Sequence, residues 1–572
     1  MMADNNDAVD FLLKCKEEAL TARQDIEAVW KECYKQYRSE EDFGNKQEWQ
    51  HRTCSPEVFP AVKGAVATIK NMMIRSEDYF SIEKVGGEDA ELAEGFTKLV
   101  QFHLRDSDFT SRFCEAVESA FVLSLGVLKL FVGEEPHTFI SGQERITRRM
   151  ARLKCEVVDP FQLFFPMDKS FFIEEKRVTV PYLHTMAQRG LFDKGVVEQV
   201  AQEDYGSDER ESERLTRLGL TKVTNPYRRE VVLHEYWGDL IGLDNRAVQR
   251  NVTFVVANEK YLIRPPVPNP FWHGKAPYVL ITPLQVLFRH VGTGLVEGVR
   301  TLQKALNNLV NIQLDAILFR MLNLFEVNQS NLIYPEDLEE LYPGKIFRKG
   351  TDAPLVTQIP MSEPSMGAFR MMEQLRRSIQ NYTGVTDFLM GLGVTRGGTT
   401  ATEVSSKVQQ SNAMFESIAR DIERQGIVGA VDLAKDLIIQ FLMDADPGVE
   451  PNAARILGQA GVRLDAMSLG ERMELLQGDW DVYPRGISVF LEKSEALSQL
   501  ISFLDILGKN PAFSAQVNAE ALLRRILEAF RFPDITSLLE PELPPEVTAG
   551  LINDPDLLEA VQRELARETP GP

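Results

Sequence analysis

The sequence predicts an α+β fold in which helices predominate, and three observations carry that expectation. Apolar residues recur at helical spacing through two long central stretches, 294–323 and 400–443. Short runs rich in β-branched and aromatic residues, bounded by proline and glycine, recur in the first 290 residues, as in VLKLFVGEE and REVVLHEYWGDL. The composition, 44% hydrophobic and 26% charged over 572 residues, is that of a globular chain with core enough for three or four domains.

Read from the start, residues 8–42 predict a helix carrying Phe11, Leu12, Trp30, Tyr34 and Tyr37 among many charges. Ser55-Pro56 opens a second helix, since proline fits the first helical turn. EDYFSIEKV reads as a strand, and helices over about 88–106 and 108–125 follow. VLKLFVGEE and CEVVDPFQLFFP read as strands ended by Pro160 and Pro166. A helix over 182–202 leads into QEDYGSDERESERLTR, whose density of charge predicts a solvated loop or insertion. Strands return over 229–240 and 252–263, and PPVPNPFWHGKAPYVLITP is a turn-rich passage to the centre of the chain.

The central helix runs from Gly294 to Asn323, with Leu302, Leu306, Leu309, Val310, Leu314, Ile317, Leu318 and Met321 at helical spacing. Beside them Gln303, Asn307, Asn311 and Asp315 form a polar line at i, i+4. Thirty residues at about 1.5 Å each make a rod of roughly 45 Å. Residues 325–361, broken by Pro335, Pro343, Gly344, Gly350 and Pro354, predict two or three small strands and one helical turn. Ser362–Tyr382 starts on a capping serine and carries Phe369, Met372, Leu375 and Ile379 on one face. Five glycines from Gly384 to Gly398 then predict a loop, and Thr399–Thr402 caps a long helix that Gly426 and Gly429 bend. Beyond it, ADPGVEPNAARILGQAG is linker-like, Trp480–Tyr483 is a strand that returns to the earlier sheet, Val489–Phe530 holds two amphipathic helices, and the last thirty residues are proline-rich and acidic.

Several kinds of chemistry are disfavoured. Five cysteines are odd in number and widely spaced with no CxxC pair, which predicts free thiols. Seven histidines never fall at metal-ligand spacing. The loop glycines around Arg396 lack the strand-loop-helix frame and the Lys-Ser/Thr ending of a P-loop, and Glu336, Asp337, Glu339 and Glu340 lack the glycine and alternating spacing of an EF-hand. No catalytic residue, cofactor or metal is therefore expected. No apolar run is long enough to span a bilayer, and the acidic, amphipathic N-terminus is unlike a signal peptide, so a soluble protein that stays where it is made is expected. A net charge of -21 argues against a broad basic grip on nucleic acid, but not against a wall that surrounds it weakly.

The order helix, small strand segment, helix, glycine-rich loop, long helix, together with the string Thr399-Thr400-Ala401-Thr402-Glu403, resembles the portal proteins, or head-to-tail connectors, of tailed bacteriophages, nearest to those of short-tailed phages. The resemblance runs through the order of parts over nearly the whole chain. It implies a wing over 1–293, a first stem helix over 294–324, a clip over 325–361, a second stem helix over 362–383, a tunnel loop over 384–399, a long wing helix with a return strand over 400–486, and a crown with an acidic tail over 487–572.

That family implies a twelve-subunit ring at one capsid vertex of the virion, assembled in the host cytoplasm. Its partners would be double-stranded DNA held without sequence preference, the terminase large subunit, a head-tail adaptor or tail protein, and the major capsid and scaffolding proteins, with no membrane. Under this resemblance Thr395, Arg396 and Lys407 would approach DNA phosphates, and Lys345, Arg348 and Lys349 would meet DNA or an adaptor at the clip. Gln303, Asn307, Asn311 and Asp315 would line the lumen or bond to a neighbouring stem.

Plainer readings stand beside these. The polar line suits a solvated helix face, Lys345, Arg348 and Lys349 suit a charged turn, and the glycines suit an ordinary flexible loop. For the whole chain the alternatives are another helical virion protein, such as an internal ejection protein or scaffold, or a nucleic-acid-processing enzyme.

Overall fold

The computed structural model describes residues 5–44, 46–75, 79–84, 90–141, 144–203, 209–220, 229–242, 247–289, 291–322, 325–327, 356–358, 366–383, 415–442, 451–459 and 480–485. A 33-residue helix, α1 (Asn5–Tyr37), comes first, and α2 (Val58–Arg75) and β1 (Phe80–Lys84) follow. Helices α3 (Ala90–Asp106) and α4 (Phe109–Leu123) lead into the long hairpin β2 (Gly126–Ser141) and β3 (Glu144–Val157). β4 (Leu163–Phe164) and β5 (Phe171–Thr179) precede α5 (Val180–Gln188), α6 (Lys194–Gln202) and α7 (Glu209–Leu218). Strands β6 (Glu230–Ile241), β7 (Ala247–Ala257), β8 (Tyr261–Pro268) and β9 (Tyr278–Ile281) complete this half.

A five-stranded antiparallel sheet, in the order β4-β5-β6-β7-β8, is covered on both faces. Alternation along its strands sorts the side chains. Tyr236, Leu240, Val252, Phe254 and Val256 meet Ala8, Leu12, Cys15 and Ala19 of α1. Val231, Leu233, Val255 and Ala257 meet Leu183 and Ala187 of α5 and Val197 and Val200 of α6. The other half of α1 enters the main core through Trp30 and Cys33, joining α2, α3, α4, β2 and β9. One helix thus ties two hydrophobic cores together.

Charges buried under α1 and behind β2 are paired, as desolvation demands. Lys16 donates to Glu259 at 2.7 Å and Glu175 at 3.1 Å, and its Nζ lies 2.8 Å from His234 Nε2. Lys129 bridges Glu174 and Glu235, and Tyr278 donates its hydroxyl to Glu174 at 2.8 Å. Burial alone would lower the Lys129 ammonium, but the Glu235 and Glu174 carboxylates outweigh it and raise its pKa. All five cysteines are free, and burial pushes the thiols of Cys15, Cys33 and Cys155 up to about 12.

Three expectations change. The stretch expected as a charged loop contains α7, held as a helix by pairs to α1 and to the turn before β4: Lys31 to Glu213 at 2.6 Å, Arg210 to Glu27 at 3.1 Å, and Arg217 to Asp159 at 2.6 Å. The proline-rich passage begins inside β8, which continues through Pro265 and Pro266. β8 is an edge strand, where a missing N–H costs no ladder bond. The helix expected over 182–202 is two, α5 and α6, broken at Gly190, whose φ of 76° ends the first. Trp480–Pro484 (β12) does return as expected, pairing antiparallel with β1 from Phe80↔Pro484 to Lys84↔Trp480.

Candidate functional site: the paired central helices

Helix α8 spans Leu295–Leu322, 28 residues, or roughly 42 Å at 1.5 Å per residue. Its first turns are anchored. Gly294 donates its N–H to Ser124 Oγ at 2.9 Å, Ser124 donates to Glu297 at 2.9 Å, and Arg289 pairs with Glu297 at 2.8 Å. A Cβ on Gly294 would stand 2.5 Å from the Phe121 carbonyl oxygen, so glycine is what lets α8 start against α4. Leu295, Val296, Val299 and Leu306 are fully buried.

Further along, the helix leaves the core. Ile312 is 61% and Met321 75% exposed. Strands β10 (Phe325–Val327) and β11 (Val356–Gln358) pair antiparallel just beyond it, and α9 (Met366–Thr383) comes back. On α9 the exposure runs the other way. Met366 is 72% exposed at the start, whereas Ile379 and Thr383 are buried near the end. The ends meet where Gly298 of α8 receives the Tyr382 ring; a Cβ there would lie 1.9 Å from Cζ. Burial, with the Glu297 charge adding to it, raises the pKa of the Tyr382 phenol. Two antiparallel rods therefore rise from one core, with the paired strands β10 and β11 at their far end.

The polar line of α8 is occupied along its length by the chain's own residues 51–55. Asp315 Oδ1 accepts the backbone N–H of His51 at 2.8 Å and faces its ring Nδ1 at 2.7 Å. Asn311 accepts from Thr53 N–H at 2.8 Å and donates to the Thr53 carbonyl at 3.0 Å. Asn307 accepts from Ser55 N–H at 2.9 Å and donates to Glu41 at 2.7 Å, while Gln303 donates to the Ser55 carbonyl at 2.6 Å. The match is metric. Every second residue of an extended chain advances about 6.6 Å, and every fourth residue of a helix advances about 6 Å. Trp49 continues the strap outward by packing edge-on to Phe319 at 4.8 Å.

The strap was missed in the sequence because nothing within residues 43–55 has a period of its own. Lys345, Arg348 and Lys349, expected in a clip, lie outside the described residues, as do Thr395, Arg396 and Lys407. Among the described residues, no group of three or more His, Cys, Asp or Glu side chains could hold a metal, and no helix is long and apolar enough to cross a membrane.

The long helix behind the rods is described over 415–442. A helix over 415–422 (α10) passes through a π-helical segment, Glu423–Val428, into α11 (Gly429–Leu437) and a second π segment, Ile438–Leu442. The π segment falls where a bend was expected, at Gly426. It seats Gly426 against the Phe113 ring, 2.5 Å from where a Cβ would stand. Gln425 from the same turn accepts the Thr282 N–H at 2.8 Å and donates to its carbonyl at 3.2 Å. The linker-like stretch beyond holds a short helix, α12 (Pro451–Gln459).

No curated relative matches the chain. The family model of the phage SU10 portal protein matches residues 141–475, a span that takes in the five-stranded sheet, both central rods, the β10–β11 pair and the helical run over 415–442. With that match over more than half of its length, the chain belongs to the phage SU10 portal protein family.

Proposed function

We propose that the chain is one subunit of a ring whose axial channel passes double-stranded DNA into a phage head and later out of it. The observation that carries this reading is the projecting pair α8 and α9, whose outer portions leave Ile312, Met321, Met366, Phe369 and Met371 uncovered in the single chain. Apolar side chains in that number on two antiparallel rods are accounted for when neighbouring copies stand against them. The charge of the pair supports the same reading. α8 and α9 carry six basic residues against three acidic in a chain whose acids outnumber its bases, 84 to 63.

Arg370, Gln374, Arg377 and Asn381 lie on the face of α9 opposite Ile379 and Thr383. Repeated around an axis, such a face gives weak, sequence-independent purchase on phosphates while an acidic surround discourages tight binding. In this reading the ring has twelve copies, the β10/β11 end meets the terminase and then the head-tail adaptor, and the body contacts capsid and scaffolding proteins. Thr395, Arg396 and Lys407 are proposed to touch DNA, and Lys345, Arg348 and Lys349 the DNA or the adaptor. Electron microscopy of the purified chain tests it: rings with a stalk and an axial opening are expected, and a protein that stays monomeric at every concentration overturns it.

A further inference from the structure

Between β9 and α8 the chain makes a knuckle. Leu284 and Thr293 form an antiparallel bridge at its base, and Arg289 ties the far side down through Thr293 at 3.1 Å and Glu297 at 2.8 Å. At the tip stand three consecutive apolar residues, Val286 at 44%, Leu287 at 84% and Phe288 at 93% exposure, the last two being the most exposed large apolar side chains among the described residues. Phe288 holds φ at 59°, a conformation that bulky residues adopt only when the surroundings impose it. A constrained loop that presents an aromatic side chain almost wholly to water has the form of an anchor lacking its pocket.

The same chain has a pocket of about 250 Å³ on the five-stranded sheet, lined mostly by apolar side chains with Lys129, Lys176, Glu235 and Arg264 among them. Val178, Leu233 and Val255 form its floor, Phe192 and Phe271 its sides, and Leu191, 49% exposed, its rim. A cavity of about 150 Å³ already holds a benzene ring, so this one accepts a phenyl group with room to spare. Arg264 lines it with no hydrogen bond or ion pair among the described residues, and burial lowers its pKa.

The two features do not meet within one chain, where Leu287 and Phe288 stand exposed and neither lines the pocket. Pro277 and Lys129 line the pocket at one end of β9, where Tyr278 pairs with Lys129; the knuckle leaves the other end, past Ile281. Four strand residues at about 3.3 Å each, plus the knuckle's own reach, separate them. A knob at one place and its pocket at another define a head-to-tail contact, which gives a ring where the rotation between copies closes and an open filament where it does not.

We infer that Leu287 and Phe288 of one subunit insert into the pocket floored by Leu233 and Val255 of the next copy, and that this contact joins neighbouring bodies of the ring. The inference rests on the ring reading above and adds to it a specific interface.

The test uses the full chain. Phe288→Asp with Leu287→Asp, and separately Leu191→Arg at the exposed rim, are expected to abolish rings in electron micrographs while circular dichroism and the unfolding temperature stay within a degree or two of the parent. The pair Phe288→Cys and Leu191→Cys, treated with a short bis-maleimide, is expected to give a ladder of covalent multimers that neither single variant gives. Rings that survive both charge variants, or a ring-forming cysteine pair with no ladder, overturn the interface and leave the portal reading intact. An unaltered chain that never forms rings overturns both.

Discussion

Thr53 and Asn311 hold each other through two hydrogen bonds, the Thr53 N–H donating to the Asn311 side chain at 2.8 Å and that side chain donating back to the Thr53 carbonyl at 3.0 Å. A carboxamide carries the donor and acceptor of a peptide group, so a helix side chain here does the work of a neighbouring strand. Gln425 treats Thr282 in the same way, and Gln440 bridges Trp272 N–H at 3.0 Å and the Pro270 carbonyl at 2.7 Å. Extended backbone with no strand beside it is satisfied by amides from the helices it crosses.

Asn311→Ala leaves both Thr53 groups to water and is expected to destabilise the chain by about 1 to 3 kcal/mol, two hydrogen bonds' worth. Asn311→Asp keeps the acceptor but turns the donor end into an oxygen facing the Thr53 carbonyl, and should lose at least as much. Denaturant unfolding and amide exchange at Thr53 measure it. Unchanged exchange in Asn311→Ala would show that the strap is held by other groups.

Three glycine substitutions should rank by what the new Cβ meets. Gly294→Ala meets backbone carbonyls of α4, which cannot turn away, and is expected to be the worst. Gly298→Ala meets the tip of the Tyr382 ring and should cost about 1 to 3 kcal/mol. The loss should shrink in the double variant with Tyr382→Ala, which opens the space. Gly458 of α12 has nothing within 4 Å of its Cβ position, so Gly458→Ala should be neutral or stabilising by up to about 1 kcal/mol. Unfolding temperatures give the order, and an inverted order refutes the packing described.

Acid should weaken the fold partly through His103. Burial, with Arg152 adding to it against Asp106, lowers its pKa from 6.5 to about 4. Because the folded imidazole stays neutral while the unfolded one takes up a proton, its contribution is complete above pH 6.5. It is lost as pH falls toward 4, by up to about 3 kcal/mol at 1.36 kcal/mol per unit. His103→Leu should flatten the stability profile over that window, compared with the parent at pH 7, 6, 5 and 4. Parallel profiles would refute the assignment.

Replacing Arg370 and Arg377 together with glutamine is expected to weaken binding of double-stranded DNA about equally for all sequences and to lower the slope of log affinity against log salt. Filter binding over a salt series measures both. An unchanged slope would place the DNA contacts elsewhere on the subunit.

The amino-acid order by itself determined the succession of elements: the two central helices to within a few residues at their described ends, and the strand at Trp480 that returns to pair with β1. Those are local properties, written in the 3.6- and 2-residue periods of apolar side chains and in where proline and glycine fall. Only the tertiary structure decided what the polar residues of those elements do. Gln303, Asn307, Asn311 and Asp315 read equally well as a wetted face, because their partners sit 248 to 266 positions away, most of them in a segment without periodicity. α7 took its helical form from ion pairs to α1 and Asp159, and β8 could pass through its prolines because it is an edge. A side chain's spacing says which neighbours it has along the chain; hydrogen bonds and charges are satisfied by neighbours in space, and folding alone chooses those.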